Sequence, residues 1–219
     1  MMQIEPLEHR LLLSATLSSA GLLIITGTPG DDRISMIRVK AGKTKPAQLI
    51  ITEKTTAPKA NGSGTLATVE TINLTLSAVK SILINAGDGN DSVSVAGGRT
   101  YHVAIPSTIN GEGGNDSLTG GDANDILSGG AGDDLLTGGA GDDRIFGNEG
   151  KDRLTGGLGA DYLNGGLDND RLYAADNDNG ADTVEGGGAH GGDIPNDYAV
   201  TDPLDMVRGV KRVKHPSAV

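Results

Sequence analysis

The chain has no Cys and no Trp, one Phe and four Tyr, so aromatic residues supply only 2% of its 219 positions. Without Cys there is no disulfide scaffold and no Cys-ligated zinc or iron-sulfur centre. With so few large rings, and Gly at 35 positions, a conventional globular core of this length is excluded. No run approaches the roughly 18 consecutive apolar residues that a membrane-spanning helix needs. Lys and Arg number 18 against 29 Asp and Glu, a net charge of -11, which argues against sequence-independent nucleic-acid binding and favours cations as partners. Catalytic signatures are missing too. There is no His-Glu-x-x-His, no Gly-x-Ser-x-Gly and no phosphate loop ending in Gly-Lys-Ser/Thr, and the four His, at 9, 102, 190 and 215, are scattered. The chain is therefore expected not to be an enzyme.

Abundant Gly and Asp fit either a disordered tract or a repeat protein with a very simple unit. Periodicity separates the two. From Gly111 to Tyr173 the sequence divides without insertion into seven blocks of nine: GEGGNDSLT, GGDANDILS, GGAGDDLLT, GGAGDDRIF, GNEGKDRLT, GGLGADYLN and GGLDNDRLY. Position one is always Gly and position eight always Leu or Ile. Position six is always Asp: Asp116, Asp125, Asp134, Asp143, Asp152, Asp161 and Asp170. A disordered segment has no reason to keep three residue types in phase for 63 residues. Gly suits sharp turns with positive φ, and the out-in-out pattern at positions seven to nine is that of a very short strand.

This pattern resembles the calcium-binding nonapeptide repeat of RTX (repeats-in-toxin) proteins, GGxGxDxUx, in which U is a large aliphatic residue. The resemblance implies an all-β fold, a parallel β-roll or right-handed β-solenoid in which two nonamers complete one coil. It also implies Ca2+ ions between successive coils, held by position-six carboxylates and backbone carbonyls of the turns. Stacking by two blocks would place Asp116, Asp134, Asp152 and Asp170 on one edge and Asp125, Asp143 and Asp161 on the other, giving five sites between neighbours. Calcium accepts six to eight oxygen ligands in flexible geometry, which suits such a set. A lone Asp at a turn is an ordinary turn former; seven in phase are not. Residues 111–173 carry a net charge of -9, so most of the chain's -11 would face the ions, and folding of this segment is expected to be coupled to metal binding.

Isolated copies of the repeat occur at Gly27 to Ser35, Ala86 to Ser94 and Asn177 to Glu185. Their Asp32, Asp91 and Asp182 have no partner two blocks away and are expected to be half-sites. Ala123 and Asp168 replace the Gly at position four, and Glu112 and Asn148 the Gly at position two; these turns are expected to be the weaker ones.

Four regions follow: 1–20, an export leader; 21–110, irregular β-strands leading into the roll; 111–185, the calcium-binding β-roll; 186–219, a C-terminal cap with a basic tail. The leader reading rests on Leu11 to Leu17, on small residues before Gly21, and on the string EPLEHRLLLSA, similar to a leader of exported bacterial repeat proteins. It implies a secreted bacterial protein. Strands are expected at Leu22–Thr26, Ile34–Val39, Leu49–Thr52, Val69–Leu76 and Val79–Asn85, with closing strands at Tyr198–Val200 and Met206–Val213. The Lys-rich stretch 40–59 reads as a loop or an edge hairpin. Three roles stay open: a stand-alone structural or matrix element, an accessory module of a secreted enzyme or adhesin, or a contact for a cell surface or acidic polysaccharide. For the last, Tyr101 and His102 are the only side chains the sequence suggests. Oligomeric state is not encoded legibly.

Overall fold

The computed structural model describes residues 14–39, 41, 47–58, 65–96, 103–174, 180–187, 198–201 and 204–214. Among the described residues nineteen strands make up almost all the regular structure, with one 3-10 turn at Leu76–Ala78. They are β1 (Ser14–Leu17), β2 (Leu22–Thr26), β3 (Asp32–Val39), β4 (Gln48–Pro58), β5 (Thr65–Thr75), β6 (Ser81–Asp88), β7 (Ser92–Ser94), β8 (Ser107–Gly113) and β9 (Ser117–Thr119). Within and beyond the tandem array follow β10 (Ile126–Ala131), β11 (Leu135–Ala140), β12 (Arg144–Glu149), β13 (Arg153–Leu158), β14 (Tyr162–Gly166), β15 (Arg171–Tyr173), β16 (Thr183–Gly187), β17 (Tyr198–Val200), β18 (Met206–Arg208) and β19 (Arg212–Lys214).

From β5 onward successive strands alternate between two sheets, ordered β1-β2-β6-β8-β10-β12-β14-β16-β18 and β19-β17-β15-β13-β11-β9-β7-β3-β4-β5. Apart from β1 and the β4–β5 hairpin, all pairings are parallel. The protein is thus a parallel β-roll. Eight coils, from β2–β3 to β18–β19, stack in one column that runs unbroken through residue 110.

The strands β10 to β14 of the array are longer than three residues, while β9 and β15 hold three. β10 to β13 each hold six, because the alternation continues past position nine: positions six, eight and one are buried and the residues between them face outward. Each coil of the array therefore contributes one Leu or Ile per sheet, with a buried Asp before it and a buried Gly after it, Ala174 taking the place of the Gly after Leu172. Leu118, Leu127, Leu136, Ile145, Leu154, Leu163 and Leu172 form this single file in each sheet. The first coils are built differently. Leu23 and Ile25, Ile34 and Met36, and Ile82 and Ile84 supply two large apolar groups per strand, and the hairpin adds Leu49 and Ile51.

Antiparallel additions extend both sheets at the N-terminal end of the column, while β18 and β19 finish the other end in parallel pairing. β1 covers β2, so Ser14 to Leu17, at the end of the expected leader, form a strand; residues 1–13 lie outside the described set. β4 and β5 pair from Gln48 with Thr75 to Pro58 with Thr65, so residues 48–58 of the Lys-rich stretch form one strand of a hairpin added at the edge of the second sheet. Lys40, Lys43, Lys45 and Lys59, like all four His and Tyr101, lie outside the described residues.

Candidate metal centre

The repeat brings the position-six aspartates together in two files, one on each edge of the roll. On the first edge the backbone N–H of Asp116 donates to Oδ1 of Asp134 at 2.7 Å, that of Asp134 to Asp152 at 2.8 Å and that of Asp152 to Asp170 at 2.9 Å. On the second, Asp125 donates to Asp143 and Asp143 to Asp161, both at 2.8 Å. Each carboxylate is thus pinned to the coil before it, and all seven side chains are buried.

The files extend beyond the tandem blocks, which corrects the half-site expectation. Asp32 donates to Asp91 and Asp91 to Asp116, each at 2.7 Å, across sequence separations of 59 and 25 residues. Asp161 donates to Asp182 at 2.7 Å and Asp182 to Asp205 at 3.1 Å, across 21 and 23 residues. Counting residues hid these neighbours, because insertions loop out between coils without disturbing the stacking. The hairpin β4–β5 is the largest such insertion. Asp205 has no repeat motif around it, so no local signal could have found it.

Within the files the second oxygen distinguishes interior from end. Oδ2 of Asp91, Asp116, Asp134, Asp143 and Asp152 is buried with no hydrogen-bond partner, an arrangement costly for a carboxylate unless a cation sits beside it. Asp32 instead takes N–H and hydroxyl donors from Thr28, at 2.6 and 3.1 Å. Asp125 accepts from Gly121 N at 2.6 Å and from the N–H and hydroxyl of Ser107 at 2.7 and 2.9 Å. Position one must be Gly for the same reason. A Cβ on Gly129, Gly138 or Gly147 would collide with Oδ2 of Asp134, Asp143 or Asp152 and press on the glycine carbonyl of the next coil. Carboxylate and peptide oxygens therefore crowd together at each turn, and no nitrogen or sulfur ligand is among them.

Electrostatics carry the same message. Burial raises the carboxyl of Asp143 to about 8 and those of Asp91 and Asp134 to about 7, with backbone N–H donors opposing the rise and neighbouring aspartates in the file adding to it. Asp152 is pushed up to about 6, chiefly by burial, and Asp116 and Asp125 are raised for the same reason. Ionised, these groups need a countercharge. Among the described residues no three His, Cys, Asp or Glu converge on one point, so a hard cation here would complete its shell with main-chain carbonyls or water. That oxygen-only donor set fits Ca2+.

Residues 107–136, 137–172 and 146–179 match the RTX calcium-binding nonapeptide repeat (4 copies). This part of the chain is an RTX calcium-binding array. The matches together span about a third of the chain, and the ion of such repeats is Ca2+. No curated protein and no solved structure matches the chain.

Position five of the RTX array forms a second ladder that sequence reasoning passed over. Asn115 N donates to Asn90 Oδ1, Asp133 N to Asn115 Oδ1 and Lys151 N to Asp133 Oδ1, at 2.7 to 2.9 Å. Asp142 and Ala160 continue the rule on the other edge at 3.0 Å. The signal was present, since five of the seven blocks carry Asn or Asp there.

The departures from the repeat resolve into two kinds. Glu112, Asn148 and Asp168 keep the positive φ of the glycines they replace, at 78°, 80° and 73°. Ala123 is not among the positive-φ residues, and neither is Gly121 in its turn. That turn packs against an irregular segment, with Asp122 N donating to the carbonyl of Val103, so it is released from the shape the other turns share.

Proposed function

We propose that the protein is a secreted calcium-binding β-roll whose array folds only as it takes up Ca2+, and that it serves as a structural or surface element. The carrying observation is the row of buried carboxylate oxygens without a protein partner, repeated coil after coil. Asp116, Asp125, Asp134, Asp143, Asp152, Asp161 and Asp170 are the side-chain ligands we assign, with Asp91 added on geometry. Each ion would lie between neighbours in a file and neutralise two carboxylates that otherwise repel. The array offers one aliphatic residue per strand as apolar support, so burial alone compensates poorly for ordering the turns. Binding free energy then becomes folding free energy. The leader-like start supports export, and millimolar extracellular calcium suits modules of this kind.

The deciding experiment is circular dichroism with calcium calorimetry on protein freed of metal. Addition of Ca2+ should bring in the β spectrum of the array together with binding heat, while Mg2+ should not replace it. A full β signal in chelator with no heat on adding calcium would sink the proposal.

A further inference from the structure

Glycine at position one is imposed by the aspartate beside it: a Cβ on Gly165 would collide with Oδ2 of Asp170, and one on Gly111 with Oδ2 of Asp116. The residue before it faces outward and varies. Asn110 on β8, Ser128 on β10, Phe146 on β12 and Asn164 on β14 stand in one row of the first sheet. Where that row carries Asn, the array acquires an Asn-Gly junction. Glycine puts no Cβ in the way of its own nitrogen, so this is the dipeptide in which the backbone most readily attacks the preceding side-chain amide. Two such junctions lie in the described strands, Asn110–Gly111 and Asn164–Gly165. Asn164 sits deep in the array. Its Nδ2 donates to the Tyr162 hydroxyl at 3.2 Å and to Glu185 Oε2 at 3.4 Å, and the same carboxylate accepts from Tyr162 at 2.7 Å.

We propose that Asn164 is a site of spontaneous deamidation which the ordered roll suppresses, so that chains left without calcium are converted there and can no longer rebuild their last coils. Inside the roll the reaction is blocked twice. β14 is paired on both sides, to β12 and β16, which holds the Asn164 ψ in the extended range, with the next nitrogen turned away from the side-chain Cγ. Position-one nitrogens are also engaged in the ladder, as Gly120 N is with the Thr137 carbonyl at 2.9 Å. A released chain has neither restraint. The Gly165 nitrogen loses its proton and bonds to Cγ of Asn164, the Cγ–Nδ2 bond breaks, and the amide nitrogen leaves as ammonia. Water then opens the cyclic imide at either carbonyl, leaving aspartate or isoaspartate. Neither product fits the column. Aspartate sets a second carboxylate against Glu185 and removes the donor that Glu185 and Tyr162 share. Isoaspartate adds a methylene to the main chain just before Gly165, which already lies against Asp170 Oδ2 and the Gly186 carbonyl, so the Asp170 turn slips against its neighbours. This inference rests on the calcium-coupled folding proposed above and gives the ion a further role, shielding the array from its own backbone chemistry.

The test is peptide mapping by mass spectrometry of the full chain aged at mildly alkaline pH in calcium, in chelator, and in chelator with urea, with dichroism on the same samples. Mapping by peptide separates Asn164 from Asn61 and Asn179, each also followed by Gly and both outside the described residues. Conversion of Asn164 should run at least about tenfold faster in chelator than in calcium, because it follows the open fraction of the chain, and should approach the rate in urea. When calcium is returned, aged wild-type protein should regain less β spectrum than fresh protein. Asn164→Ser, which gives β14 the residue that β10 carries in the same row, should regain more than the aged wild type; Asn164→Gln, whose ring closure is slower, serves if the Ser variant does not fold. A chelated chain that loses its β spectrum yet converts Asn164 no faster than in calcium would overturn this inference alone. One that keeps both its spectrum and its Asn164 would overturn the calcium-coupled reading with it. Equal recovery of aged wild type and aged Asn164→Ser would show that the converted residue does not hinder the coils, and the proposal would fall.

Discussion

At the scale of single residues, the repeat positions are fixed by what their neighbours in the next coil require. Asp143 caps the N–H of Asp125 and receives nothing for its own Oδ2. Asp143→Ala should therefore lower calcium stoichiometry by about two ions, because Asp143 is shared with Asp125 and Asp161, and should leave the buried Asp125 N–H without its acceptor at a cost of roughly 1–3 kcal/mol. Gly138→Ala makes the sharper comparison. It keeps every carboxylate, but its Cβ would collide with Asp143 Oδ2, so calorimetry should show a loss resembling that of Asp143→Ala. Normal stoichiometry in Gly138→Ala would mean that the Oδ2 position is irrelevant to the ion. Backbone strain gives a prediction of opposite sign. Glu112 holds φ at 78°, a conformation costing a non-glycine residue roughly 1–2 kcal/mol, so Glu112→Gly should raise the melting temperature of the calcium-loaded protein. Asn148→Gly should gain little, since Asn tolerates that region and its side chain donates to Ser128 Oγ at 3.0 Å.

At the scale of elements, the stacked carboxylates make the metal-free array sensitive to pH in an unusual direction. Asp143, Asp134 and Asp152 have folded values raised to about 8, 7 and 6 from an ordinary 3.8. The unfolded chain then releases its protons first as pH rises. Stability from these groups is complete below about pH 4 and is lost progressively through pH 6 to 8. Metal-free protein should consequently show more β signal at about pH 4.5 than at pH 8, and calcium should reverse that order by holding the carboxylates ionised. A metal-free β signal that grows between those two values would contradict the burial of the files. Much at this scale was legible in the sequence. The nine-residue phase gives the strands, the inward Leu or Ile and both tandem files, and the alternation of Leu22–Thr26 and Tyr198–Val200 marks β2 and β17 residue for residue. What stayed hidden depends on three-dimensional closure. Asp32, Asp91, Asp182 and Asp205 join the files only because insertions of irregular length leave the column. The outward row of Arg153, Arg171, Tyr198 and Arg212 is likewise invisible along the chain, since its members line up only through strand register.

At the scale of the whole molecule, the column has two regimes of cohesion, and calcium should separate them. From β2 to β7 the interior is filled by paired Ile, Leu, Val and Met side chains, and among the described residues Thr28, Asp32 and Asp91 are the buried polar groups that interrupt it. From β9 to β14 each strand contributes one aliphatic group between a buried Asp and a buried Gly, and the strands on either side of these are no richer. Hydrophobic stabilisation scales with the apolar area removed from water, so the first regime can persist on packing while the second depends on neutralised carboxylates. Coils of a solenoid contact only their neighbours, and loss of order in one region need not carry through the column. Removing calcium at neutral pH should thus leave an ordered stub at residues 14–94 and release residues 111–187. Hydrogen exchange read by mass spectrometry distinguishes the outcomes. Peptides such as Leu22–Thr26 and Ser81–Asp88 should stay protected in chelator, while Leu135–Ala140 and Arg153–Leu158 should exchange fully and regain protection when calcium returns. Uniform loss along the chain would mean that the apolar coils also rely on the ions; uniform retention would mean that the aspartate files fold without them. The stub would then serve as the template on which the array is laid down, coil by coil, wherever calcium is plentiful.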